Sequence, residues 1–265
     1  MIGICTDSNA HLSAALAQRF GIEIVPLTVT VDDIDYLDGI DLDADAFYAK
    51  YLDGACPKVS TSQPSPGQFA VAYEDLAARG CTEILSIHAS SAASGTISAA
   101  RLAAHSVPTP VRLVNSGPAS FGLGCCVWAA ASAVAQGASV DCAALIAEEL
   151  VSTIGNVFVV GALDTFVTGA SLPVLSACDD RVAVIERAAT ALDAINAMAA
   201  YTLRWGERLH VAIGHSDAAT APMADALEEA LAEAAGVRDV VRYRIGPSIG
   251  VHTGLGTIGC LMFRG

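Results

Sequence analysis

Lysine is scarce in this chain. The 265 residues include two, Lys50 and Lys58, within a total of 14 basic against 28 acidic side chains, for a formal net charge of −14. A nucleic-acid partner is therefore not expected, because such binding rests on neutralising phosphates with basic groups. Metal and phosphate signatures are missing too. None of the six histidines falls into HExxH or another metal spacing, and no glycine run is followed by the GK[ST] of a phosphate loop. We read no G-x-S-x-G nucleophile elbow from the chain either. Eight cysteines occur without a CxxC pair, mostly inside apolar runs. They imply reduced core thiols in a cytoplasmic protein, not a disulfide frame or zinc site. The longest apolar stretch, Phe121 to Ala135, is shorter than the ~20 residues a spanning helix needs, and it reads as a buried core helix. No basic segment precedes an apolar one at the start, so no secretory signal is expected. No internal repeat or long linker is found.

What the chain has is apolar alternation. It is 53% hydrophobic with mean hydropathy +0.50, much of it alanine. Short Ile/Val-rich runs at 2–5, 23–30, 82–87 and 111–114 predict strands, and longer runs at 10–19, 43–52, 66–78, 94–104 and 118–135 predict helices. That order implies an α/β domain with a mostly parallel sheet. After a further helix at 141–151 a second set follows: strands at 157–160, 182–185, 208–213, 239–243 and 258–263, with helices at 188–203 and 218–235. We expect two α/β domains, 1–154 and 155–265, with a ligand site at their interface, where pockets are common. The acidic stretch Asp32 to Gly39 lacks EF-hand spacing and reads as turn chemistry rather than a calcium loop.

Three hydroxyl- and glycine-rich clusters interrupt this pattern: Thr61-Ser62-Gln63-Pro64-Ser65-Pro66-Gly67, Ser90-Ser91-Ala92-Ala93-Ser94-Gly95-Thr96, and Gly246 to Gly254 with His252 and Thr253. Each suits a small anion held by hydroxyls and backbone N–H groups. Ser94 stands where a helix cap belongs, and Gly95 lets the backbone approach closely. A helix start offers free N–H groups and partial positive charge, although a serine there is ordinarily just a cap. One helix needs only one cap, which leaves Ser90, Ser91 and Thr96 over. Ser65 is the expected cap of the helix opened by Pro66, which leaves Thr61, Ser62 and Gln63 for ligand contacts. His252 and Thr253 offer a ring nitrogen and a hydroxyl, or His252 simply holds a loop. Asp7, Ser94 and His252 supply the residue types of a Ser/His/Asp hydrolase, but types without geometry are weak grounds for catalysis.

The order and spacing of these segments resemble the DegV family of bacterial fatty-acid-binding proteins. The likeness takes in Thr6-Asp7-Ser8, Val25-Pro26-Leu27, Tyr36-Leu37-Asp38-Gly39, Phe47-Tyr48, 57–69, Tyr73-Glu74, Leu85-Ser86-Ile87-His88, Asn115-Ser116, Gly122-Leu123-Gly124 and 246–256. The resemblance implies a two-domain α/β fold and a buried long-chain fatty acid, with Thr61 and Ser94 meeting its carboxylate. Ser62, Ser91, Gly95, His252 and Thr253 match positions in the same segments. It also implies a non-enzymatic carrier without metal or cofactor, one that in some members presents the acid to a separate fatty acid kinase. Two departures stand out. The family's glycine-glycine-arginine segment is matched by Phe166-Val167-Thr168-Gly169-Ala170-Ser171, without the arginine, and the following region, Leu172 to Asp180, looks shortened. Both put the kinase partnership in doubt and leave room for a divergent member with a smaller or more polar ligand.

Overall fold

The structure is a computed structural model of the whole chain, and it describes every residue except 91–93, 118, 163–164, 166–169 and 179–180, and the side chains of Asp53 and Cys178. The chain divides into two compact units. The first comprises Met1–Leu42 and Lys58–Ser152, the second Asp43–Pro57 and Thr153–Gly265.

The first unit is built on a parallel sheet of β1 (Ile2–Asp7), β2 (Glu23–Val25), β6 (Glu83–His88) and β7 (Val111–Asn115), in the order β2-β1-β6-β7. Helices α3 (Pro66–Ala78) and α4 (Thr96–Ala104) bury Phe69, Tyr73, Leu76, Ala99, Ala100 and Ala103 against Cys5, Val25 and Ile84 of the sheet. Helices α5 (Phe121–Ala135) and α6 (Val140–Leu150) also pack on this sheet. In α5 every residue from Phe121 to Trp128 is buried. It is a core helix, and no helix among the described residues is long and apolar enough to cross a membrane.

The expected strand at 23–30 is two strands. Pro26 has no N–H to give to a ladder, and beyond it the chain leaves the parallel sheet. Thr28–Val31 becomes β3, the centre of a three-stranded antiparallel sheet with β4 (Ile34–Leu37) and β5 (Val59–Ser62). Asp32 and Asp33, both at positive φ (48° and 65°), make the two-residue turn between β3 and β4. That is the left-handed geometry a tight hairpin requires and Asp tolerates, so the acidic stretch is a hairpin. The expected helix at 10–19 starts only at Ala14: α1 (Ala14–Phe20) is capped by Ser13, whose hydroxyl accepts from the Leu16 N–H.

The second unit carries a six-stranded sheet, β10-β9-β8-β13-β11-β12. Its strands are β8 (Gly155–Val159), β9 (Leu172–Cys178), β10 (Arg181–Ala188), β11 (Leu209–His215), β12 (Val237–Arg244) and β13 (Ile258–Arg264). Among the described residues of this sheet only β11 and β12 pair in parallel; the other pairs are antiparallel. Helices α7 (Ala191–Leu203) and α8 (Ala221–Ala232) bury Ile195, Met198, Met223, Leu227 and Leu231 on it. Leu172 to Cys178, part of the region that reads as shortened, is a full strand paired antiparallel with β10.

The continuous 1–154 domain needs correcting. Residues 43–57, with α2 (Ala44–Ala49), belong to the second unit. The cause is close packing at Gly250, where a Cβ would lie 2.5 Å from the Tyr48 hydroxyl and 2.8 Å from Phe47 Cε1. Arg244 adds a 2.7 Å ion pair to Asp45. Such partners, about 200 residues distant in the chain, leave no local trace in the sequence.

Candidate functional site

Within the first unit the first two hydroxyl clusters meet. Thr61 and Ser62 are not in a loop: they are the last residues of β5, which occupies one edge of its sheet. Thr61 pairs with the buried Val29 of β3, and Ser62 with Thr28. Alternation along a strand turns their side chains to opposite faces. Thr61, Ser62 and Gln63 are all exposed. Ser65 then caps α3 through a capping box with Gln68, as expected. With the helix satisfied by Ser65, the three preceding polar residues have no capping duty.

Ser94 departs from the expectation by one position. The N-cap of α4 is Gly95, and Ser94 Oγ accepts from the Thr96 N–H at 3.2 Å and shares a 2.8 Å hydrogen bond with Thr96 Oγ1. The hydroxyl sits over the first turn of the helix, half-buried. The Gln63 carboxamide lies directly over the Gly95 Cα, in the space a Cβ would need. Gly95 has an ordinary helical φ of −77°, so its glycine is required by this approach and not by backbone strain. Gly95→Ala therefore displaces the flexible, exposed Gln63 side chain while costing under about 0.5 kcal/mol, as surface changes usually do. A urea melt checks the stability. A loss well beyond that value would mean that the Gln63–Gly95 contact holds the fold, not just the site.

Ser91 lies outside the described residues, as do Phe166 to Gly169 of the stretch lacking the family arginine. The third cluster belongs to the second unit. It is not turn-rich: Pro247–Thr253 forms the helix α9, with His252 exposed in its last turn and Thr253 Oγ1 reaching back to the Ile249 carbonyl at 3.4 Å. Sharing of one head-group site by His252, Thr253 and the first two clusters remains an expectation from resemblance. This cluster also holds a pattern our reading overlooked, since Gly246-Pro247-Ser248-Ile249-Gly250 spells G-x-S-x-G. An elbow needs its serine on a strained turn between strand and helix. Ser248 is instead the second residue of α9 and is not at positive φ.

The chemistry that sequence reasoning missed lies beneath the first two clusters, at the carboxyl ends of β1 and β6. Asp7 Oδ2 is 2.6 Å from His88 Nδ1, His88 Nε2 is 2.7 Å from Ser86 Oγ, and Ser86 Oγ is 2.9 Å from the Tyr73 hydroxyl. Asp7 is 1% exposed and the other three 0%. One consistent direction satisfies all four: Tyr73 donates to Ser86, Ser86 to His88 Nε2, and His88 Nδ1–H to Asp7. The order Asp–His–Ser is that of a hydrolase, but Ser86 has Tyr73 on its other side and no exposed surface. It is a buried polar tie between two central strands and α3. Asp7, one of the three residue types a hydrolase reading would need, is occupied by it.

Asp38, 8% exposed, lies close by. Burial pushes its carboxyl up to about 6 from 3.8; a hydrogen bond with Ser8 opposes this, and the Asp7 charge adds to it. The protonated form is thus favoured on folding. This contribution is fully present below pH 3.8 and is lost as pH rises through about 6. Asp38→Asn, neutral throughout, should be more stable than the parent at pH 7.5 by up to about 3 kcal/mol, with the gap closing near pH 4. Burial pushes His11 down to about 4, so its contribution is lost as pH falls from 6.5 through 4, but it is common to both proteins and cancels. Denaturation at the two pH values decides; a variant less stable at pH 7.5 would remove Asp38 as a source of strain.

No group of His, Cys, Asp and Glu among the described residues is arranged to hold a metal ion. The arrangement offers neutral hydroxyls, a carboxamide and the first turn of a helix, the equipment for holding an anionic head without a cation.

Comparison with known proteins agrees with this architecture. The family model DegV, described as an uncharacterised protein of the DegV family, matches residues 1–264. A DegV domain-containing protein of Streptomyces coelicolor is 33% identical over 98% of both chains. Among solved structures, a DegV family protein from Thermus thermophilus, described for its fatty acid binding, superposes with a TM-score of 0.81 at 28% identity, covering 99% of each chain. DegV of Bacillus subtilis, described as a fatty acid binding protein, gives 0.79 at 25% identity over 100% of this chain and 99% of its own. The chain therefore belongs to the DegV family.

Proposed function

We propose that the protein binds a long-chain fatty acid and holds its carboxylate with Thr61, on the strand face it shares with Gln63, and with Ser94 and Gly95 of the first unit, while the Ser62 side chain points to the other face. The observation that carries this reading is the meeting of the two hydroxyl clusters where Gln63 covers Gly95. It is supported by the fatty acid binding of the Thermus thermophilus and Bacillus subtilis relatives. Neutral donors suffice for the head because the chain supplies the affinity. Burying about fifteen methylenes gains roughly 12 kcal/mol gross, offset in large part by the lost freedom of the chain. The protein acts as a carrier without chemistry of its own, in the cytoplasm, where the described free thiols stay reduced. Presentation of the acid to a separate fatty acid kinase is a further expectation from the resemblance, and the missing arginine in the sequence beside Gly169 counts against it.

The test compares palmitate with methyl palmitate on delipidated protein. The ester keeps the chain and removes the charge. Charge-assisted hydrogen bonds contribute about 1.5–3 kcal/mol each, so palmitate should bind at least about tenfold tighter. Equal affinity for acid and ester would refute carboxylate capture.

A further inference from the structure

The hydrogen bonds around Ser94 fix how its proton can be used. Its Oγ accepts from the Thr96 N–H at 3.2 Å and meets Thr96 Oγ1 at 2.8 Å. A hydroxyl oxygen has one proton to give and two lone pairs with which to accept. The Thr96 amide takes one lone pair. The 2.8 Å contact then uses either the second lone pair, with Thr96 donating, or the Ser94 proton, with Thr96 accepting.

Burial separates the two directions. Thr96 is 2% exposed, and its hydroxyl has no other partner among the described residues. Were it the acceptor, its own proton would be buried with nothing to receive it, an arrangement native proteins ordinarily avoid. Ser94 is half-buried, so its proton can be met from outside. Thr96 therefore donates. Both lone pairs of Ser94 are then taken, and among the described residues no group accepts the Ser94 proton.

We propose that Thr96 is the positioning residue of the head-group site: its hydroxyl and amide fill the lone pairs of Ser94, turn the Ser94 proton outward, and restrict this contact to heads that present an acceptor. The proposal rests on carboxylate capture by Ser94. It adds that the preference for an acceptor is built by a side chain behind the contact, one that does not touch the ligand. Hydrogen bonds accepted by a hydroxyl also polarise it and strengthen the bond it gives.

The test measures palmitate and methyl palmitate binding to delipidated full-length protein in Thr96→Val, Thr96→Ser, Ser94→Ala and the Ser94→Ala/Thr96→Val pair. Thr96→Val keeps the shape and removes the donor, so palmitate should weaken by about fivefold or more. The ester is an uncharged acceptor and should change less, so the preference for acid over ester shrinks. Thr96→Ser restores the hydroxyl and should restore both affinity and preference. In the Ser94→Ala background Thr96→Val should change palmitate binding by less than about twofold, because the group it acts through is gone. A packing role would persist there. Thr96→Ala removes the hydroxyl with a smaller side chain and is read in the same way if the valine variant does not fold. An unchanged acid preference in Thr96→Val, an equal loss in the Ser94→Ala background, or a loss that Thr96→Ser does not restore would each overturn the proposal and leave carboxylate capture standing. Equal affinity of the parent for acid and ester would overturn both.

Discussion

Thr61→Val combined with Ser94→Ala should release the bound fatty acid while leaving a folded protein. Thr61 is exposed at the end of an edge strand, and valine keeps its shape and its strand preference. Ser94 is not the N-cap residue, and its loss forfeits two hydrogen bonds, from the Thr96 N–H and with Thr96 Oγ1, about 2 kcal/mol together. The carboxylate loses two hydroxyl donors, each contributing about 1.5–3 kcal/mol to a charged partner. Together these lower affinity by about a hundredfold or more. Lipid extracted from the purified double variant should fall below roughly a tenth of the parental amount at that affinity loss. Parental lipid content in a folded double variant would show that the head group is held elsewhere. Gly95→Ala extends the argument: it leaves both hydroxyls in place and moves Gln63 alone, so a drop in lipid content without a drop in stability would place the carboxamide in the site.

Asp7→Asn should have a larger effect on folding than any surface change, lowering stability by about 3 kcal/mol or more. Both carboxylate oxygens of Asp7 accept: Oδ1 from the Asn9 N–H at 3.1 Å and Oδ2 from His88. Asparagine keeps one acceptor and turns an NH2 toward the other donor. Either the helical turn at Ser8–Ala10 loses its cap or His88 faces a donor inside a sealed core. Urea denaturation gives the free energy directly. A loss under about 1 kcal/mol would mean that the chain through His88, Ser86 and Tyr73 contributes little to the fold, since an ordinary hydrogen bond nets that much. Catalysis offers a second reading of the same variant. A structural tie predicts no change in lipid affinity per folded molecule.

Much of this architecture was legible because local chemistry dictated it. The cap at Ser65 before Pro66, the buried helix at 121–135 and the Val-rich strands follow from residue types within a few positions of one another. The readings that failed depended on distant partners. Pro26 was visible, but nothing near it tells that β3 leaves for a second sheet with β5, some thirty residues on. Residues 43–57 read as an ordinary helix; their membership of the second unit is set by Gly250 and Arg244. The site shows the same division. Its hydroxyls stood out as polar clusters left over after capping was assigned. The tie beneath them did not, because Asp7 and His88 are 81 residues apart and each has an unremarkable local setting. An unbroken polar chain across β1 and β6 can be seen only once the parallel pairing of Cys5 with Ser86 is known.

The central claim is tested most directly by native mass spectrometry of the protein purified from a bacterial host, with the bound species released and identified. The account predicts one fatty acid per chain, with a long acyl tail. An empty protein, or a polar non-lipid ligand at the same occupancy, would contradict it.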